Sequence, residues 1–134
     1  MINHDKLFKE LLTTFFVEFL ELFVPGVARY LDKTSIVFLD KELFAGEKRR
    51  EADIVVRTRF KGKDSFFLIH TEAQAQHQSE FPGRLFRYFA VLHEKFELPV
   101  YPIALLSYKS PRKMQRSYYS VRFPDLDVLR FNYA

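Results

Sequence analysis

The segment SFFLIHTEAQ, residues 65–74, carries apolar side chains on both of its alternating faces before it turns abruptly polar. In an extended chain Phe66, Leu68, His70, Glu72 and Gln74 share one face, and Phe67, Ile69, Thr71 and Ala73 share the other. A strand that is apolar on both faces belongs inside a sheet covered on both sides. The preceding segment, ADIVVRTRF at residues 52–60, alternates Ala52, Ile54, Val56, Thr58 and Phe60 against Asp53, Val55, Arg57 and Arg59. KGKD then closes a hairpin between the two.

Working outward, residues 5–24 predict one amphipathic helix. Phe8, Leu12, Phe15, Phe19 and Leu22 or Phe23 recur at helical spacing, Asp5 stands near its start, and Pro25-Gly26 ends it. A short helix or turn covers residues 27–31, and residues 35–44 predict a first strand ahead of the turn AGEKRRE. Leu85, Phe89, Leu92 and Phe96 mark a helix over residues 81–97, with Pro82 near its start and Pro99 beyond its end. VYPIALLSY is a further buried strand, in which Pro102 requires an edge position or a bulge. The tail YYSVRFPDLDVLRFNY reads as one or two strands around Pro124. The order α-β-β-β-α-β with a strand-like tail predicts an α/β fold, a mixed central sheet flanked by helices, in a single domain over residues 1–134.

Composition narrows the classes. An apolar share of 48%, with 16 Phe and 7 Tyr among 134 residues, is ample for one folded core. The absence of Cys excludes disulfides, thiolate zinc sites and cysteine nucleophiles, and fits a cytoplasmic location. No segment reaches the roughly 18 apolar residues of a membrane span, so no membrane partner is expected. The net charge of +4 is a mild excess. Its placement carries more: Lys48, Arg49, Arg50, Arg57, Arg59, Lys61 and Lys63 gather around one hairpin, followed by Arg84 and Arg87. Such a cluster is either solvated surface charge or a footprint for a polyanion.

Two acids sit where acids are costly. Asp53 opens one strand and Glu72 closes its hairpin partner, so their side chains can meet. Two close carboxylates in a partly dry site persist when a cation lies between them or a proton is shared. Magnesium is bound in this way, by one or two carboxylates completed by water and substrate phosphate. Gln74 is co-facial with Glu72, and its amide can orient a water or donate to a phosphate oxygen. The plainer alternative pairs each acid with an arginine such as Arg57 or Arg84. The histidines His4, His70, His77 and His93 lack the spacing of a zinc site, and His70 reads as a packed core residue. With 4 Gly there is no phosphate-cradling loop, and Tyr88, Tyr118 and Tyr119 read as packing before nucleic-acid stacking.

Taken in order, DKLFKELLTTFFVEFLELFVP, READIVVRTRF, FFLIHTEAQAQ, RLFRYFAVLHEKFELPVYPIALLS and FPDLDVLRFNY resemble the recombination-promoting nuclease/putative transposase family of bacteria. The resemblance covers nearly the whole chain. It implies a PD-(D/E)XK restriction-endonuclease-like core and a metal-dependent DNA endonuclease linked to recombination or transposition. In that pattern Asp53 and Glu72 bind Mg2+ or Mn2+, with Glu10 on the first helix as a third ligand. Gln74 stands where the superfamily usually has Lys, in a Glu-x-Gln variant. Lys9, Gln76 and Arg84 are auxiliary candidates, and Arg49, Arg50, Arg57, Arg84 and Arg87 are candidates for holding DNA. A second function class is a catalytically weak DNA-binding or assembly module of a mobile-element system, distinguished by salt-dependent binding without turnover, and a third is a folded interaction domain that never touches nucleic acid, distinguished by unchanged electrophoretic mobility of DNA at low salt. A homodimer is left open, and family members usually continue past the position of Ala134, so a short or trimmed chain is expected.

Overall fold

The computed structural model describes residues 4–39, 54–74, 79–106 and 117–134. In chain order they form α1 (His4–Thr14), α2 (Phe16–Phe23), α3 (Pro25–Ala28), β1 (Leu31–Phe38), β2 (Ile54–Phe60), β3 (Phe66–Gln74), α4 (Phe81–Phe96), β4 (Val100–Leu106), β5 (Tyr118–Phe123) and β6 (Leu126–Asn132). The central sheet has the order β1-β2-β3-β4, and β5 and β6 form a separate hairpin. β1, β2 and β3 pair antiparallel in succession, and β4 returns through α4 to lie parallel to β3. The mixed α/β architecture expected from the strand order is therefore present.

The doubly apolar β3 explains the layering. Phe67 and Ile69 join Ile54, Val56 and Ile103 in a core closed by Leu12, Phe16, Phe19, Leu20 and Val27 from the N-terminal helices. On the other face Leu68 and Val55 pack against Tyr88 and Leu92 of α4. Period-two alternation along β2 and β3 thus sends successive side chains into two different cores. The β5–β6 hairpin covers another flank of α4, where Phe131 and Tyr119 meet Phe81, Leu85 and Phe86. Gly83 permits that approach: a Cβ there would stand 3.2 Å from Tyr119 Cε1. β4 ends the order of strands, as Pro102 requires, and its outer side is stitched to the C-terminal residue. Ala104 N–H donates to the Ala134 carbonyl at 2.9 Å, and Ala134 N–H to the Pro102 carbonyl at 3.0 Å.

Two elements depart from expectation. The single helix over residues 5–24 is broken at Phe15 into α1 and α2. Thr14 Oγ1 donates to the Glu10 carbonyl at 2.9 Å, a back-bond that bends helices, and the buried stripe shifts to Leu12, Phe16, Phe19 and Leu20. The first strand runs from Leu31, not Ser35, because a polar bulge hides its beginning. β1 pairs Asp32 with Arg59 and then Val37 with Arg57, so β1 accommodates extra residues in between. Side chains replace the missing ladder: Arg59 N–H donates to Ser35 Oγ at 2.8 Å, and Ser35 Oγ stands 3.1 Å from Thr58 Oγ1.

Asp32 anchors the bulge. Its Oδ1 accepts from Thr34 Oγ1 at 2.6 Å and Thr34 N–H at 3.0 Å, and its Oδ2 from the Arg59 guanidinium at 2.6 Å. The Thr34 hydroxyl first, and then Arg59, hold the carboxyl down at about 2 against an ordinary 3.8. A carboxyl lowered in the folded state contributes stability that is complete above the ordinary value and is lost as pH falls through the folded one. Asp32→Asn is therefore expected to lower the urea midpoint at neutral pH and to flatten its fall between about pH 4 and pH 2. Midpoints measured across that window check it, and an unchanged acid limb in the variant would count against the bulge as drawn.

Candidate functional site

The polar end of β3 is where a buried strand acquires chemistry. His70, Thr71 and Glu72 follow Leu68 and Ile69, and all three are buried, Glu72 with 6% of its surface exposed and His70 with none. Alternation puts His70 and Glu72 on the α4 side of the sheet, with Leu68. His70 Nε2 stands 2.8 Å from Glu72 Oε1. The ring of His70 meets the edge of Tyr88 on α4 at 5.7 Å between centroids and 74° between planes. A carboxylate in such a place needs a partner, since burial without one disfavours the charged form strongly.

The other candidates divide by position. Asp53, Gln76, Arg49 and Arg50 lie outside the described residues. Ile54, which follows Asp53, pairs with Thr71, which precedes Glu72. Gln74 closes β3 with its backbone opposite Leu106 of β4, and its side chain lies outside the described residues, as does that of Lys9 on α1. Glu10 is exposed on α1, and the helix's buried Leu12 belongs to the core on the opposite side of the sheet from His70 and Glu72. Arg57 is exposed on β2 with its guanidinium 5.3 Å over the Phe66 ring. Arg84 holds its guanidinium 5.4 Å over Phe81 at the start of α4. Arg87 lines, with Ser79, Tyr118 and Ser120, an open groove of about 350 Å3 between α4 and β5.

Among the described residues no group of three His, Asp or Glu side chains gathers as a metal site. Among the described site candidates, Glu72 offers a carboxyl group in a largely dry setting, and hard oxygen donors of that type are what magnesium takes. Sequence reasoning assigns Tyr88 to packing, and it is packing, buried on α4 at 6% exposure. The same reasoning missed His70 as the partner of Glu72. The signal was present, because residues two apart on a strand share a face, and His70 is polar in an otherwise apolar run.

The fold and site together define a mixed α/β domain with a buried, histidine-linked carboxylate at the end of its central antiparallel-to-parallel strand β3. Comparison with protein-family models, curated proteins and solved structures finds no match that would assign the chain to a family. No described helix is long and apolar enough to cross a membrane.

Proposed function

We propose that this domain is a magnesium-dependent DNA endonuclease of the PD-(D/E)XK type, acting in recombination or transposition. The observation that carries the proposal is Glu72, a carboxylate buried at the end of β3 in a sheet with the α-β-β-β-α-β order expected for such a core. The register supports it, since Ile54 opposite Thr71 sets the start of β2 beside the end of β3. Asp53 and Glu72 would hold the ion, with Glu10 a further oxygen donor implied by the family resemblance alone. The chemistry such an ion supplies is polarisation of a phosphoryl oxygen and a lowered pKa for the attacking water. The chain's own contribution is positional. Gln74 orients the water or donates to a phosphate oxygen, while Arg57 and Arg87, both exposed, hold the DNA backbone through charge.

A second reading, a DNA-binding module with weak hydrolysis, is favoured by the neutral Gln74 where a cation is usual. One experiment separates them. Supercoiled duplex DNA incubated with the protein and Mg2+ is expected to be nicked, with no nicking in excess chelator and a steep decline as salt rises. Retarded electrophoretic mobility without nicking would give the second reading, and neither nicking nor retardation at low salt would remove both.

A further inference from the structure

We infer that His70 is a positioning residue that fixes the carboxylate of Glu72 for metal binding, an inference that rests on the proposed reading of Glu72 as a ligand. Glu72 has a long side chain with three rotatable bonds, and a ligand free to swing loses affinity through ordering. His70 removes that freedom from a rigid base. Its ring is wholly buried on β3, is met edge-on by Tyr88 of α4, and lies in the same layer as Leu68 and Leu92. Its Nε2 is 2.8 Å from Glu72 Oε1. As a metal ligand Glu72 would be ionised and could only accept, so under that reading Nε2 carries the proton and donates. Nδ1, also buried, meets no partner among the described residues, so the hydrogen bond to Glu72 is the polar anchor of the ring.

The consequence is directional. A charge-assisted hydrogen bond in a site with little water is stronger than its counterpart at the surface. By holding Oε1, His70 restrains the rotation of the Glu72 carboxylate group. Residues that hydrogen-bond a metal ligand in this way contribute to affinity without touching the metal, and their loss typically weakens binding by about 10- to 100-fold. A merely structural buried pair would leave metal affinity unaltered in any variant that folds.

The test measures Mn2+ binding by paramagnetic resonance of the free ion for the wild type, Glu72→Gln, His70→Leu and His70→Gln, with thermal melts to establish folding. Glu72→Gln is expected to abolish binding, His70→Leu to weaken it by about 10- to 100-fold, and His70→Gln, whose amide can still donate, to recover most of the loss. Folded His70→Leu that binds like the wild type, while Glu72→Gln does not bind, overturns the role of His70 and leaves Glu72 as a ligand. Equal binding by the wild type and Glu72→Gln, or none by either, removes the ligand reading and the inference with it. Should His70→Leu fail to melt cooperatively, ring-nitrogen resonances of the wild type decide. A protonated Nε2 whose signal moves on adding Mg2+, but stays in Glu72→Gln, supports the inference. A bare Nε2, or one indifferent to Mg2+, overturns it.

Discussion

Phe16→Ala is expected to destabilise the domain by about 3–5 kcal/mol, whereas Phe15→Ala, one residue earlier, should change it by no more than about 0.5 kcal/mol. Phe16 is 3% exposed in the core between the N-terminal helices and the sheet, with Phe38 of β1 edge-on at 5.6 Å and Phe19 at 6.2 Å. Removing its ring deletes a large transfer term and leaves a cavity that rigid neighbours fill only partly. Phe15 is 53% exposed at the junction of α1 and α2, so its truncation costs little burial. Urea unfolding at constant m-value measures both. The reverse ranking would mean that the helix is continuous and that its apolar stripe faces the sheet through Phe15.

That contrast shows where the sequence was legible. β3 is legible because four successive apolar residues, Phe66 to Ile69, on a short segment leave few alternatives to a strand buried on both sides. The N-terminal helix was read with its break missing. With so many Phe between residues 8 and 23, several stripes satisfy helical spacing, and the local hydrogen bond from Thr14 to the Glu10 carbonyl that goes with the break leaves no mark in apolar periodicity. The predicted start of β1 falls too late because Asp32, Lys33 and Thr34 look like a loop. They belong to a strand whose bulge is held by side chains rather than by the ladder.

The site divides in the same way. Alternation alone made His70 and Glu72 co-facial, and hairpin pairing made the start of β2 a neighbour of the end of β3; the structure keeps both relations. What alternation could not supply was the energetic partnership. A histidine in an apolar run is satisfied by whatever polar group the fold brings near, and here that group is the carboxylate two residues on. Glu10 illustrates the opposite limit. Its place in the first helix is legible, but α1 packs through Leu12 on the sheet face away from Glu72, and Glu10 itself is exposed. No local pattern encodes whether it joins the site.

Under the proposed function, Glu72→Gln and Gln74→Lys should move cleavage in opposite directions. Glu72→Gln keeps the shape of the side chain and an acceptor for His70 while removing the negative charge, so the fold is retained and the proposed ligand is lost. Metal-dependent nicking is expected to fall by on the order of 10²- to 10³-fold, the scale on which one preorganised electrostatic group contributes to a transition state. Gln74→Lys introduces a cation two residues beyond Glu72, where developing negative charge on a phosphoryl oxygen would otherwise meet a neutral amide. A group of that kind contributes roughly 3 kcal/mol, so the nicking rate should rise by about a hundredfold. Single-turnover nicking at saturating Mg2+ measures both variants and separates the chemical step from DNA binding. If Gln74→Lys leaves the rate unchanged while Glu72→Gln abolishes it, another cation of the chain already serves the leaving or attacking oxygen. If neither substitution alters the rate, the end of β3 is not the reacting centre, and the buried His70–Glu72 pair is part of the core alone.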